Sequence, residues 1–324
     1  MLSKADLADL PAFRAAHAHD EDAGTGCTVI VAPEGAVCGV DVRGGGPATR
    51  ETDLLRPENM IQKVHAVVLS GGSAFGLEAS CGVMEALAEQ GIGFELGGAH
   101  VPIVAGACLF DLLVGKNAHP DKAMGRAAAI EALAGGGTLA EGNVGAGCGA
   151  SVGKLLGAER AMKSGFGTAG CRLGDLACVA LVAVNALGHV IGPDGVQIAG
   201  TRADGGGILD PLDAFERSVE LAAGQPPATT NTTISCVITN ARITKAQATK
   251  TASCVHDAYA RAIKPVHTLN DGDTVFAFAS GEVDADPDAV SMLATEAMQR
   301  AIERAASCAE SAYGLPAARD LRIR

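Results

Sequence analysis

Four runs of this 324-residue chain are apolar over nearly their whole length: VHAVVLS at 64–70, LACVALVAV at 176–184, ISCVIT at 234–239 and TVFAFAS at 274–280. Stretches this short, rich in Val, Ile and Phe and bounded by Gly, Asn or Asp, read as buried strands rather than helices. Elsewhere the apolar spacing turns helical. SAFGLEASCGVMEALAEQG stops at Gly91, DKAMGRAAAIEALA follows, and two more helices are predicted over approximately 245–263 and 289–311. Strands at both ends of the chain, with helices between them and no internal repeat, predict an α/β or α+β protein of one domain, 1–324.

Composition narrows the function. The chain is 48% hydrophobic, with 42 Gly, no Trp and 3% aromatic residues, which suits close packing of small aliphatic side chains. A net charge of −12 without a basic stripe excludes a nucleic-acid surface, because phosphate neutralisation needs clustered Lys and Arg. The charged start MLSKADLADLPAFRAAHAHDED is no signal peptide, and no apolar run approaches the length of a membrane span. A cytoplasmic protein without a membrane partner is expected. The ten Cys are scattered without a C-x-x-C pair and read as reduced core residues. His17 and His19 lack the spacing of a zinc motif, so no metal site is expected.

Three local readings are open to a direct structural check. CTVIVAP and AVCGVDV, on either side of Glu34-Gly35, read as a hairpin. LACVALVAVNALGHVIG reads as two strands joined near Ala186-Leu187-Gly188, with Asn185 at the turn, and 204–230, rich in Gly, Asp and Pro, as an extended approach to the next strand. GGSAFG at 71–76 follows a strand and opens a helix, but it lacks the Gly-Lys-Ser/Thr ending of a phosphate loop. Gly72 and Ser73 are better read as a structural turn or a wall of a substrate pocket.

The stretch TTNTTISCVITN, residues 229–240, crowds four threonines around Asn231 at the mouth of an apolar run. A threonine hydroxyl is a weak nucleophile without a base, and an α-amino group on the same residue supplies one. Making Thr232 an N-terminus would require the Asn231–Thr232 bond to break, by attack of the Thr232 hydroxyl on the Asn231 carbonyl and hydrolysis of the resulting ester. On residue types alone this chemistry is only permitted, and a polar strand edge, where Thr is common, is the better reading.

The segment NTTISCVITN resembles the self-processing site of the L-aminopeptidase/D-esterase (DmpA-like) peptidase family. So do GAVCGVDVRGGGPATRETDLL, VHAVVLSGGSAFGLEA, VPIVAGACLFDLL and DGDTVFA, in the same order, from about residue 24 to 311. NTTIS with HTLNDGDTVFA is most similar to the threonine-using branch, the nylon-oligomer (6-aminohexanoate-oligomer) hydrolases, while the N-terminal half looks more like the general aminopeptidases. The resemblance implies a four-layer αββα sandwich, related in architecture to the N-terminal-nucleophile hydrolases but with its own connectivity. It implies chains 1–231 and 232–324 after self-cleavage, assembled as a homo-oligomer of cleaved heterodimers, commonly a tetramer, with no cofactor.

Residue by residue, it implies Thr232 as nucleophile, Asn231 as the residue released, Lys154 as proton-transfer or charge-holding lysine, and Asn185 as oxyanion donor. Asp271 and Asp273 match the acidic pair that orients the new ammonium group and hydroxyl. Phe110, expected in the substrate pocket, stands where other members often carry Tyr, which removes one hydroxyl donor and either shifts the oxyanion contacts to Asn185 and backbone amides or narrows the pocket. The function so implied is hydrolysis of small peptides, amides or esters, with 6-aminohexanoate oligomers among them. An acyltransferase similar to the ornithine acetyltransferases and a non-catalytic assembly protein are the rival expectations.

Overall fold

The computed structural model describes residues 2–135, 138–222 and 231–321. Ten strands carry the architecture: β1 (Ser3–Ala5), β2 (Arg14–Asp20), β3 (Thr25–Val42), β4 (Ala48–Arg50), β5 (Val64–Ser70), β6 (Val104–Cys108), β7 (Phe166–Leu173), β8 (Leu176–Asn185), β9 (Thr232–Ala241) and β10 (Thr274–Val283). Five α-helices accompany them: α1 (Ala79–Glu89), α2 (Lys122–Leu133), α3 (Pro211–Ala222), α4 (Lys245–Ala262) and α5 (Pro287–Ser307).

The strands run β1-β7-β8-β9-β10-β3-β5-β6-β4, with β2 also on β3. β9 and β10 are parallel and joined through α4, as are β5 and β6 with α1 between them, while the other neighbours are antiparallel. The long strand β3 belongs to both halves. Its first part, through Val31, pairs with β2 and β5, and its last part, from Val37, pairs with β10. The expected hairpin at Glu34-Gly35 is therefore corrected to one strand that changes partners. Gly35, at φ +68°, and a register shift between Val31 and Ala36 turn the chain at this point, and each arm finds its neighbours in a different sheet half.

The apolar runs look continuous because both faces of each strand are covered. In β8, Cys178, Ala180, Val182 and Val184 face α4 and α5 in one core, while Ala177, Val179, Leu181 and Ala183 enter a second core. In β10, Val275, Ala277 and Ala279 alternate in the same way with Phe276 and Phe278. That second core is shared with Ile30, Val67, Leu69, Ala105 and Ala107 of the other sheet half, whose outer face packs on α1 and α2 through Val29, Val68, Val83 and Ala128. Helices, sheet, sheet and helices stack as the αββα sandwich.

Two further expectations are corrected. Asn185 is not at a hairpin turn: it ends β8, and the next strand, His189–Ile191, pairs instead with Gln197–Ala199 and Ile263–Lys264. Within 204–230 the structure forms α3, whose spacing of Leu212, Phe215 and Val219 is helical, while 223–230, including Thr229 and Thr230, lies outside the described residues. No disulfide links any of the ten Cys, seven of which are buried.

Candidate active site

Thr232 opens β9 and Asn185 ends the antiparallel neighbour β8, so register places the two directly opposite each other. On the other side of β9, the parallel strand β10 begins at Thr274, so the loop bearing Asp271, Gly272 and Asp273 arrives beside the same strand end. Asn231 continues the pairing as an isolated parallel bridge with Asp271. Lys154 comes from the glycine-rich loop and is tied down by its own N–H on Leu187 O at 2.9 Å. The topology thus brings together Lys154, Asn185, Asn231, Thr232, Asp271 and Asp273 from distant parts of the chain, all buried, with Lys154 the most exposed of them at 7%.

The Asn231–Thr232 junction is held from several directions. The Thr232 hydroxyl donates to the carbonyl oxygen of its own preceding residue, Asn231. The Gly272 N–H donates to that same oxygen at 2.9 Å, and the Asn231 N–H to Asn270 O at 3.2 Å. Room for the hydroxyl depends on Gly272 lacking a side chain, since a Cβ there would lie 2.7 Å from Thr232 Oγ1. Asp273 accepts the Thr233 N–H at 2.7 Å through Oδ1. Asp271 accepts the Thr268 N–H at 2.6 Å through Oδ2, whereas its buried Oδ1 has no hydrogen-bond partner among the described residues.

Asn185 is oriented by chemistry rather than by assumption. Its Oδ1 accepts from Lys154 Nζ at 2.6 Å and from the Ser151 N–H at 3.0 Å, both obligate donors, so the other arm must be the NH2 group. Nδ2 spends one hydrogen on Phe110 O at 2.9 Å, which leaves a second for an incoming oxygen. Phe110 therefore contributes a carbonyl to the site as well as a ring to its wall.

Electrostatics follow from burial. Desolvation pulls the Lys154 ammonium down to about 7, against the opposing pull of Asp271 and Asp111. Desolvation, reinforced by Asp273, pushes the Asp271 carboxyl up to about 6. A lysine and a carboxyl brought this close to neutrality, beside a hydroxyl, form a set able to exchange protons at ordinary pH.

Lys154 and Phe110 also line a cavity of ≈ 290 Å³ with Leu113, Val114, Glu159 and Tyr313. Gly72 and Ser73 do not line it. Gly72 donates its N–H to Asp111 at 2.7 Å and Ser73 its N–H to Leu109 O at 2.8 Å, so both serve the turn that leads from β5 into α1. One residue beside the site went unremarked in the sequence. His267 bonds Asp273 Oδ2 through Nδ1 at 2.8 Å, and no spacing within PVHTLNDGDT distinguishes it from a loop histidine.

The chain matches the family model described as Peptidase family S58 over residues 5–320. It is 39% identical to an uncharacterized aminopeptidase of Mycobacterium leprae, covering 96% of this chain and 92% of that one. It is 36% identical to a 6-aminohexanoate-oligomer endohydrolase of Paenarthrobacter ureafaciens, covering 85% and 75%. Among solved structures, it superimposes on a Burkholderia sp. beta-aminopeptidase with a TM-score of 0.63 at 21% identity, covering 92% of this chain and 85% of the other. The L-aminopeptidase D-Ala-esterase/amidase of Ochrobactrum anthropi, described as a variant of the Ntn hydrolase fold, gives 0.62 at 18%, covering 92% and 84%. Buried strands, the αββα layers and near-complete sequence coverage thus agree, and the protein belongs to peptidase family S58, as a hydrolase of amide bonds.

Proposed function

We propose that the chain cuts itself between Asn231 and Thr232 and then uses Thr232 as an N-terminal nucleophile. The observation that supports this most is the placement of the Thr232 hydroxyl against the Asn231 carbonyl, whose oxygen is already held by the Gly272 N–H at 2.9 Å. In the first step Oγ1 attacks the Asn231 carbonyl carbon and the Gly272 N–H supports the developing oxyanion. The amide nitrogen of Thr232 takes up a proton and leaves. That departure frees the α-amino group, and water then splits the Asn231–Thr232 ester, releasing the Asn231 carboxylate and returning the Thr232 hydroxyl.

In turnover that amino group is the base for Oγ1, the vacant Oδ1 of Asp271 receives it in its charged form, and the free N–H of Asn185 meets the substrate oxyanion. Lys154 holds Asn185 and carries a proton or charge beside it. The acyl-enzyme ester on Thr232 is released by water, which makes the reaction amide hydrolysis. No step calls on a cofactor.

The cavity favours a short aliphatic acyl group carrying an amine. Phe110, Leu113 and Val114 supply an apolar wall, and Glu159 supplies a carboxylate. Small peptides, amino-acid amides and esters fit this description, as do 6-aminohexanoate oligomers, the substrate in the name of one relative. The assembly proposed is a homo-oligomer of cleaved heterodimers, a tetramer, which mass measurement in native buffer would test. Among the described residues, no helix is long and apolar enough to cross a membrane.

The deciding experiment is the intact mass of the denatured protein beside Thr232→Ala. Two species summing to 32.4 kDa plus one water, the smaller beginning at Thr232, are expected from the wild type and one uncut species from the variant. A wild type that stays whole after long incubation at neutral pH overturns the proposal.

A further inference from the structure

We infer that His267 is a positioning residue of this site, the group that holds the Asp273 carboxylate aimed at the strand end where Thr232 begins. The inference rests on the proposed role of Thr232. Asp273 is 2% exposed, and among the described residues no lysine or arginine forms an ion pair with it. Its donors are three: the Thr233 N–H on Oδ1 at 2.7 Å, and on Oδ2 the His267 ring at 2.8 Å and the His267 N–H at 3.2 Å. Because a carboxylate only accepts, Nδ1 of His267 carries the hydrogen. Two of the three bonds to the carboxylate thus come from one residue.

That residue is itself immobilised. His267 sits at φ +57°, which a histidine adopts only when its surroundings hold it there. From α4, His256 meets its ring edge-on at a centroid distance of 4.7 Å and Tyr259 stacks on it at 5.9 Å. His256 lies against Asp41 O at 3.1 Å, and burial lowers its ring to about 4, so it stays neutral and does not compete for Asp273. The charged groups near that ring are Asp41, on β3, and Arg43, just beyond its end, which pair with each other, Arg43 also bonding Ser253. Tyr259 donates to Ser235 Oγ at 2.8 Å and to Thr233 O at 3.4 Å. The peptide that follows the nucleophile is therefore gripped at its N–H through His267 and Asp273, and at the next carbonyl through Tyr259.

Removing the ring donor leaves Oδ2 of Asp273 with the His267 N–H alone, so the carboxylate is less firmly aimed at the strand end. The test compares His267→Ala with His267→Asn, whose amide NH2 falls where Nδ1 was and whose side chain tolerates positive φ. Self-cleavage is read by mass, folding by thermal melting, and kcat and KM on an amino-acid p-nitroanilide. The Asn variant should cut itself and keep kcat within about threefold. The Ala variant should lose kcat by roughly tenfold or more at nearly unchanged KM.

An Ala variant that cuts itself and keeps kcat within about threefold overturns the assignment, whether or not it melts earlier, because a purely structural role would lower the melting temperature without a kcat loss that Asn restores. If the Ala variant does not fold, the Asn variant decides: kcat within about threefold supports the assignment and a loss of roughly tenfold overturns it. A wild type that neither cuts itself nor hydrolyses the anilide is a separate failure, that of the Thr232 reading, and the assignment falls with it.

Discussion

Asn185 shows how one side chain can be given an orientation by its neighbours' chemistry. Lys154 and the Ser151 amide donate to Oδ1, so Oδ1 must face them and the NH2 must face Phe110 O, with its second hydrogen the proposed oxyanion donor. The same arrangement sets the pH behaviour. The Asp271 carboxyl, pushed up to about 6 by burial, loses its charge as the pH falls through that value, and the proposed Thr232 ammonium would lose its acceptor. Lys154, pulled down to about 7, gains a charge on the same side. Both changes act against turnover, so kcat/KM measured on an amide should fall on the acid side from about 7 downward. Lys154→Arg, which stays charged throughout, should lose most of its activity at every pH if the lysine moves a proton, whereas near-wild-type activity would show that it only holds charge. None of these roles is legible from the residue types. A lysine after glycines, an asparagine after a strand and two aspartates around Gly272 read as ordinary loop chemistry, and only resemblance to a family singled them out. His267 escaped even that, because its meaning depends on a bond to Asp273 and on two rings of α4.

Among the elements, the strands and helices with a clear period were legible and their partners were not. VHAVVLS and TVFAFAS mark β5 and β10 by composition, and α5 repeats Val290, Leu293, Ala294, Ala297, Met298 and Ala301 at helical spacing. β3 misled because Gly35 beside Glu34 has the local chemistry of a turn, whereas what decides is that each arm finds a different set of neighbours. Helix α3 was obscured by the glycines and prolines on either side of it. α4 carries a testable device at its first turn. Lys245, only 4% exposed, donates to Leu54 O, Asn59 O and Ile61 O at 3.0, 3.2 and 2.9 Å and so fastens the 51–63 loop to the sandwich. Lys245→Met leaves three carbonyls without their donor and should cost about 1–3 kcal/mol in thermal or denaturant unfolding, with faster proteolysis in that loop. Self-cleavage at Thr232 should proceed as before, since Lys245 touches none of the site residues.

At the scale of the molecule, the proposed cut falls in the middle of the sheet. β9 and β10 lie between β8 on one side and β3 on the other, so a chain 232–324 would supply two central strands and both helices of one outer layer. A chain 1–231 on its own would present two facing sheet edges separated by the width of the missing pair, and unpaired edges of this kind aggregate. The two segments made separately should therefore be insoluble or unfolded, whereas the halves of a cut protein should stay together in native buffer and part only in denaturant, as size exclusion under both conditions would read. A soluble, folded 1–231 fragment would count against this layout. The interleaving also sets an order in time. Asn185 is brought opposite Thr232 only when β8 and β9 have paired, and Gly272 reaches the Asn231 carbonyl only when β9 and β10 have. The proposed cleavage would therefore act as a maturation checkpoint: a misfolded copy would stay whole, and the cut would record that the molecule has been correctly built.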